Sequence, residues 1–430
     1  MFKKIFSIID FLVIVIQLSI NISIVPYIIL GSFQSNNFIY LIIGLGTLAI
    51  LLIRFKGKIY PFMALLRFPP MTFFFLLLFF QLISFVVELD FYHFGAVIVI
   101  TFNQVVFLMY INNLFLAKRN SIDVIASFTN LNLYYVNFAL FNVFAVLISI
   151  LLQLFKIIKP FTNNINDLFP SLLSSNTMSG QHYYMPGWIS LQTGESRLGF
   201  VFGNLTGWTH EPHVLGYLIF PSLFFLLAKY TNRLNLFIII IVLFTIVGLI
   251  SFSVTSFSCL LIIMFFKLLS DKKYITGSIV FLLIFIYSII ILNRDLGETI
   301  LSYTSDKYTY NTSSAEYSGN KIMNIVIPNS IFGNGILLIS EKPDKNAGSF
   351  AAIFYLAFYS SLLFKTMQII FSNNKRNVYY GFAFLYFILH SLKLSSSIFV
   401  MPYTIYFLGL MAIYNKYYLK AKTIDTVLSI

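Results

Sequence analysis

One short segment of the chain gathers residues suited to acid–base and anion chemistry. It begins with Arg197-Leu198-Gly199 and ends with His210-Glu211-Pro212-His213-Val214-Leu215-Gly216. The guanidinium of Arg197 is a permanent cation whose planar fork fits phosphate oxygens. The carboxylate of Glu211 can accept a proton from a hydroxyl group. Ionisable groups at the edge of hydrocarbon are costly to place, so their position before an apolar helix indicates a functional site.

Each of these residues also has a simpler structural interpretation. Arg197 fits a solvated loop arginine paired with Glu195. Glu211, directly before Pro212, fits a residue that caps the dipole of a helix. His210 and His213 have a spacing that suggests a metal site, but no third ligand follows at helical spacing and no HExxH motif is present. We therefore expect no metal here and assign these rings to hydrogen bonding or to the membrane interface.

Other polar residues interrupt the apolar pattern elsewhere. Gly333 and Gly335 predict a tight turn, which either is purely structural or presents backbone amides to an anion. Lys393, near the end of a late apolar run, either snorkels to the membrane surface or neutralises an anionic ligand. Asp10, near the start of the first apolar run, is expected at the interface.

The elements that carry these residues are apolar almost throughout. The chain is 59% hydrophobic and 10% charged, with a mean hydropathy of +0.87, whereas a soluble domain carries roughly 25% charged residues. Its 430 residues suffice for many spans of about 20 residues each. The single cysteine, Cys259, excludes an intramolecular disulfide and a cysteine-based metal site. The composition predicts an all-α polytopic membrane protein with one integral membrane domain over residues 1–430.

Apolar runs between charges predict about twelve transmembrane helices. They are residues 6–24, 38–53, 71–88, 94–117, 131–157, 212–229, 235–250, 253–268, 274–292, 349–371, 378–394 and 396–413. The stretch 235–266 is long for one span and short for two. We divide it near Ser251-Phe252-Ser253, because only then do the basic residues of every alternate connection fall on the same side.

Basic residues mark cytoplasmic connections, and most of the 28 in this chain fall on one side of the predicted membrane. They are Lys3, Lys4, Arg54, Lys56, Lys58, Arg67, Lys118, Arg119, Lys229, Arg233, Lys267, Lys272, Lys273, Lys365, Lys375, Arg376, Lys416, Lys420 and Lys422. This distribution predicts that both termini are cytoplasmic. Two large loops, residues 158–211 and 293–348, then lie outside and hold more than half of the 15 acidic residues. Chemistry on that side is not driven by ATP, and no GxxxxGK[ST] loop is present.

Three motifs resemble those of the bacterial O-antigen and polysaccharide polymerase family (Wzy), which is related to the O-antigen ligases. The first is Arg-x-Gly followed about a dozen residues later by Glu-Pro-x-x-x-Gly, here Arg197–Gly199 and Glu211–Gly216. The second is a serine-rich hairpin between two short spans, here 251–258, with Val254 where relatives often carry arginine. The third is Phe-Gly-x-Gly followed by an asparagine, here Phe332–Gly335 and Asn346.

The resemblance implies a GT-C-like helical fold and a metal-independent glycosyltransferase with no cofactor. Its substrates would be polyprenyl diphosphate-linked oligosaccharide repeat units at the outer, periplasmic face of the bacterial inner membrane. On this interpretation Glu211 is the general base, with His210 as the alternative. The cations Arg197, Arg294, Lys321 and Lys393 would stabilise the diphosphate. The glycan would contact residues around them, namely Glu195, Trp208, His213, Asn334 and Asn346.

Two alternatives remain open. An O-antigen ligase typically has a histidine in the second large loop, and 293–348 contains none. A lipid-linked glycan flippase or transporter has internal repeats and ionisable groups at mid-bilayer, whereas here they concentrate in two long loops. Expected partners are membrane lipid, the lipid-linked glycans, and a chain-length regulator and flippase. The placement of the +13 net charge argues against nucleic acid.

Overall fold

The protein was analysed as a computed structural model. The structure describes residues 2–20, 36–60, 62–119, 124–155, 212–230, 234–250, 254–273, 348–372, 374–394 and 398–418, and several shorter pieces. The shorter pieces are residues 182–183, 192–193, 204–205, 207, 209, 276, 278–279, 282, 325–326, 331 and 333.

The described residues are almost entirely helical. In chain order the helices are α1 (Phe2–Ser19), α2 (Asn36–Arg54), α3 (Met63–Leu66), α4 (Pro69–Val87), α5 (Phe91–Arg119), α6 (Val124–Leu154), α7 (Pro212–Lys229), α8 (Leu234–Ile250), α9 (Val254–Ser270), α10 (Ser349–Ile370), α11 (Lys375–Leu394) and α12 (Pro402–Ile413). A π-helical turn, Tyr414–Tyr418, continues α12. Three two-residue strands, β1 (His182–Tyr183), β2 (Gln192–Thr193) and β3 (Asn204–Leu205), form an antiparallel sheet in the order β1-β2-β3. The sheet lies within the predicted loop 158–211, for which no strand was predicted.

Length and apolar composition identify candidate membrane spans among the described helices. Four are long and apolar enough to cross a bilayer: Pro69–Val87, Phe91–Ala117, Ala126–Ile148 and Ser349–Ile370. Shorter apolar helices include Phe6–Ser19, Phe38–Arg54, Val214–Lys229 and Thr255–Ser270. The prediction of a helical membrane protein is confirmed at this level. The count of twelve spans, the GT-C-like arrangement, the two outer loops and the single membrane domain stay predictions.

Several helix boundaries follow directly from local sequence. Helices α4, α7 and α12 each begin at a proline, Pro69, Pro212 or Pro402. Proline suits the first helical position because its ring presets φ and the N–H that it lacks would have no partner there. Helix α8 ends at Ile250 and α9 begins at Val254, as the division near Ser251 to Ser253 predicts.

Helices α2, α4 and α9 end with the same backbone turn at a residue other than glycine. In α2 the N–H of Gly57 donates to the carbonyl of Leu52 at 2.8 Å and that of Lys56 to Ile53 at 3.3 Å. This pair of bonds is the Schellman ending, whose left-handed residue is normally glycine. That position is held by Lys56 (φ 53°), Leu89 (φ 57°) and Lys272 (φ 60°). The two lysines place cations near the helix carbonyls, where the dipole favours positive charge.

Residue contacts divide the chain into two compact units. Unit 1 comprises Met1–Phe138, Asn324–Leu362 and Ser396–Ile430, and unit 2 comprises Ala139–Met323 and Leu363–Ser395. The core of unit 1 is rich in aromatic side chains. Phe74, for example, lies with its ring centroid 6.0 Å from Phe358 and 5.6 Å from Phe399. The hydroxyls of Tyr135 and Tyr403 are hydrogen-bonded at 2.8 Å.

Polar side chains join α1, α2 and α5 inside unit 1. Asp10 is 1% exposed and is bound at both oxygens by Arg54, with Nε–Oδ1 at 3.2 Å and Nη2–Oδ2 at 3.3 Å. The hydroxyl of Tyr110 donates to the same carboxylate at 2.8 Å. Two helical turns further along α1, Gln17 donates to Thr47 at 2.9 Å and to Asn103 at 3.0 Å. Asp10 therefore lies in a buried ion pair inside the protein, and its position at the membrane interface stays a prediction.

Candidate functional site

Most of the residues predicted to form the site lie outside the residues that the structure describes. These are Arg197, Glu195, Trp208, His210, Glu211, Arg294, Lys321, Asn334 and Asn346. Two more are placed by their backbone alone. His213 is the second residue of α7, and Lys393 is the penultimate residue of α11. Their assigned roles stay predictions. Helix α7, which begins at Pro212, is the described element that continues the segment 197–216.

Helix α7 carries the glycine of the Glu-Pro-x-x-x-Gly motif into a close contact. A Cβ atom added at Gly216 would meet the Oγ of Ser256, with the Cβ of Ser256 at 3.0 Å and the hydroxyl of Tyr386 at 3.2 Å. Real Cβ atoms essentially never approach other atoms as closely as this Oγ, so a larger residue would force the helices apart. Ser256 lies in the first turn of α9, and Tyr386 lies on α11. The glycine therefore lets α7, α9 and α11 meet closely at one point.

The next residue of α7 adds an aromatic stack to this contact. The ring of Tyr217 lies parallel to the imidazole of His390, with the centroids 4.5 Å apart and the planes 20° apart. His390 also lies alongside Tyr386, with a centroid distance of 5.9 Å. All three side chains are at most 1% exposed. A buried imidazole therefore lies against two tyrosine rings, one helical turn along α11 from Tyr386 at the close approach to Gly216.

His390 is a candidate functional residue that the sequence analysis did not select. It lies inside the predicted span 378–394, three residues before Lys393 on the same helix. Ionisable residues within apolar spans are costly and are functional-site hypotheses by default. That rule, applied to every predicted span rather than to the two loops alone, would have selected it. Its position on α11 and its contact with α7 place an ionisable ring beside the helix that follows Glu211.

The segment before α7 packs against α6 at one described position, Gly207. Gly207 has a φ of 60°, and a Cβ there would lie 3.2 Å from the Oδ1 of Asn142. Thr209 is 1% exposed, and Asn142 is 0% exposed. A left-handed φ and close packing both favour glycine at position 207. These contacts fix the backbone a few residues before Pro212, at the approach to the predicted base.

A separate cavity lies in unit 1, between α1 and α6. Its volume is about 390 Å³ and it is lined by Ser7, Ile8, Phe11, Tyr134 and Asn137. None of these lining residues carries a carboxylate, an imidazole or a permanent cation. In the part of the chain that the structure describes, no group of three His, Cys, Asp or Glu side chains is placed to hold a metal ion.

Comparison of the chain with known protein families, with characterised proteins and with solved structures gives no match. The functional interpretation therefore depends on the motifs of the sequence and on the geometry of the described helices.

Proposed function

We propose that this protein is a polysaccharide polymerase that joins polyprenyl diphosphate-linked repeat units into O-antigen or a related surface glycan. The observation that carries the proposal is the contact of Gly216 with Ser256. Gly216 closes the Glu-Pro-x-x-x-Gly motif, and Ser256 belongs to the serine-rich hairpin 251–258. Two motifs 40 residues apart in the sequence, both of which resemble the polymerase family, are in van der Waals contact in the fold.

The proposed reaction is a glycosyl transfer. A hydroxyl of the acceptor sugar attacks the anomeric carbon of the donor glycan, and Glu211 accepts the hydroxyl proton. The bond between that carbon and the diphosphate oxygen breaks, and the polyprenyl diphosphate leaves with the bonding electrons. Arg197, with Arg294, Lys321 and Lys393, offsets the charge that develops on the leaving group. His210 is the alternative proton acceptor.

The proposed location follows from the charge distribution. With basic connections on the cytoplasmic side, both termini are cytoplasmic and the loops 158–211 and 293–348 face the periplasm. The protein would then act at the outer face of the bacterial inner membrane. There it would receive units from a flippase and work beside a chain-length regulator. Asn334, Asn346, Glu195, Trp208 and His213 would contact the glycan.

The replacement Glu211→Gln tests the assignment of the base. It preserves the size of the side chain but cannot accept the proton, so polymerisation of defined lipid-linked repeat units should fall by about 10²–10⁴-fold. Glu88→Gln, at the acidic residue that ends α4, is the matched control and should retain the wild-type rate. If Glu211 only caps a helix, the loss is at most about 1–2 kcal/mol of local stability. A Glu211→Gln rate within about threefold of wild type would transfer the role of base to His210.

The replacement Arg197→Lys tests the recognition of the diphosphate. The positive charge remains, but an ammonium lacks the planar fork that binds two phosphate oxygens at once. We expect chain extension to be slower than in wild type and slower still in Arg197→Ala. Long glycan chains made normally by Arg197→Ala at ordinary expression would remove Arg197 from the mechanism.

The glycan profile of a deletion strain separates the proposed activity from its alternatives. Loss of a polymerase leaves single repeat units attached to their final acceptor. Loss of a ligase leaves the acceptor bare, and loss of a flippase traps lipid-linked units on the cytoplasmic side. Either of the last two profiles would contradict the polymerase assignment.

A further inference from the structure

The connection between α2 and α4 carries a set of exposed cations with no acidic neighbour in sequence. Lys56, Lys58 and Arg67 are all exposed. No aspartate or glutamate occurs between Arg54 and Glu88. We call these three side chains the basic cluster. Its charge is unbalanced within this connection and therefore suits an anionic partner.

Two buried asparagines on α5 hold the backbone of this connection in place. Asn113 accepts a hydrogen bond from the N–H of Tyr60 at 2.8 Å and donates to the carbonyl of Lys58 at 3.0 Å. Asn112 donates to the carbonyl of Tyr60 at 3.4 Å. Both asparagines are 0% exposed. Lys58, one member of the basic cluster, therefore lies on a backbone segment that is hydrogen-bonded to α5.

The same hydrogen bonds place the backbone of Lys58 and Tyr60 beside the end of a candidate membrane span. Asn113 lies in the last turn of Phe91–Ala117, a candidate span, and the candidate span of α4 starts at Pro69. The connection that Asn113 binds is therefore level with the end of one span and directly precedes another. For spans assigned by length and composition, the end of a span corresponds to the headgroup region of a bilayer, whichever side faces the cytoplasm.

Apolar side chains project beside the cations. Ile53 is 75% exposed, Ile59 is 43% exposed and Met63 is 62% exposed. Cations alternating with exposed apolar side chains at the end of a span are typical of surfaces that bind phosphate headgroups and insert into the acyl boundary. A soluble anion or an acidic protein would leave these apolar side chains without a role.

The helix dipole of α2 accounts for only part of this arrangement. Lys56 lies next to the C-terminal carbonyls of α2, where a cation is favourable. Arg67 is the C-cap of α3, a helix of only four residues, whereas Lys58 lies beyond the end of α2 and has no such explanation. From the cations, the fixed backbone and the apolar neighbours together, we infer that this connection is a binding site for the headgroups of anionic phospholipids.

Native mass spectrometry of the purified full-length chain tests this site. The protein is titrated with phosphatidylglycerol and, separately, with phosphatidylcholine, and the two affinities are compared. A cation near a membrane surface contributes about a fivefold increase in binding. Replacing Lys56, Lys58 and Arg67 together by glutamine should therefore weaken phosphatidylglycerol binding on the order of a hundredfold and leave phosphatidylcholine binding unchanged.

A second basic turn provides the matched control. Lys272 and Lys273 follow the same Schellman ending at the end of α9 and are also exposed. There, however, Asp271 is adjacent and is paired with Lys267. Replacing Lys272 and Lys273 by glutamine should keep the preference for phosphatidylglycerol. Equal losses in both variants, or no loss in the triple variant, would overturn the proposal.

Two further measurements identify the ligand as a lipid. Inorganic phosphate at millimolar concentration should not displace phosphatidylglycerol, and full displacement would mean that the site binds free phosphate. Ile59→Ser with Met63→Ser keeps every cation and should still weaken phosphatidylglycerol binding severalfold. Unchanged binding in that variant would mean that the apolar side chains play no part, and the lipid assignment would fail.

Discussion

The α1–α2–α5 contact of unit 1 and the α7–α9–α11 contact of unit 2 are built by different means. In the first, side chains of opposite charge or matching polarity are hydrogen-bonded across the helices, as in Asp10 with Arg54 and Gln17 with Asn103. In the second, the backbone of α7 approaches its neighbours at Gly216, and the rings of Tyr217 and His390 stack. Interhelical hydrogen bonds and small residues are the two common ways of joining helices in membranes.

The comparison shows why the buried ionisable residue of the first contact has a structural role, whereas that of the second is a candidate functional residue. Asp10 is buried, but Arg54 and Tyr110 together satisfy its carboxylate, so its role is to join helices. His390 is equally buried but contacts aromatic faces beside the helix that follows the predicted base. The first group stabilises a structure, whereas the second lies where the sequence predicts chemistry.

The largest expected effect comes from breaking the ion pair of unit 1. Asp10→Ala leaves Arg54 without its partner, and removing one member of a buried pair costs roughly 3–5 kcal/mol. Because Arg54 is 23% exposed, we expect about 3 kcal/mol, measured by unfolding the protein in mixed micelles. The triple replacement Asp10→Leu, Arg54→Met and Tyr110→Phe is the control and should be close to neutral, since apolar groups often replace buried ion pairs without loss and the hydroxyl that donates to Asp10 is removed with its acceptor. A triple variant as unstable as Asp10→Ala would contradict this explanation.

A smaller effect is expected from closing the space at Gly216. Gly216→Ala should destabilise the protein by about 1–3 kcal/mol, because the added methyl overlaps Ser256. Gly46→Ala in α2 is the matched control, since a Cβ there has nothing within 4 Å. That change should stabilise the protein by up to about 1 kcal/mol, because alanine is the better helix former. Opposite signs are thus expected for the same substitution, and equal effects would contradict the proposed close approach.

Local sequence predicted the features that depend on neighbouring residues. The start of α7 at Pro212 and the division between α8 and α9 near Ser251 follow from backbone restrictions and polar breaks within a few positions. The small sheet was missed, because strands of two residues are too short to show a periodic pattern.

Features that depend on distant residues could not be predicted in the same way. The pairing of Asp10 with Arg54 joins residues 44 positions apart, and nothing in either local pattern specifies the partner. The contact of Gly216 with Ser256 likewise depends on how three helices pack. The types of residue in the candidate site, His390 included, were visible in the sequence, whereas the stacking of His390 on Tyr217 of another helix needed the fold.

The smallest expected effect concerns the amide pair of unit 1, Gln17 and Asn103. The two side chains exchange hydrogen bonds at 3.0 Å in both directions. In membrane proteins such bonds contribute about 0.6 kcal/mol on average and at most about 1.7, because the separated helices also find partners. A cycle of Gln17→Leu, Asn103→Leu and the double variant, unfolded in mixed micelles, should give a coupling energy in that range. Coupling indistinguishable from zero would mean that the amide pair does not help to join α1 to α5. The contrast with the α7–α9–α11 contact would then depend on the bonds of Asp10 to Arg54 and Tyr110 alone.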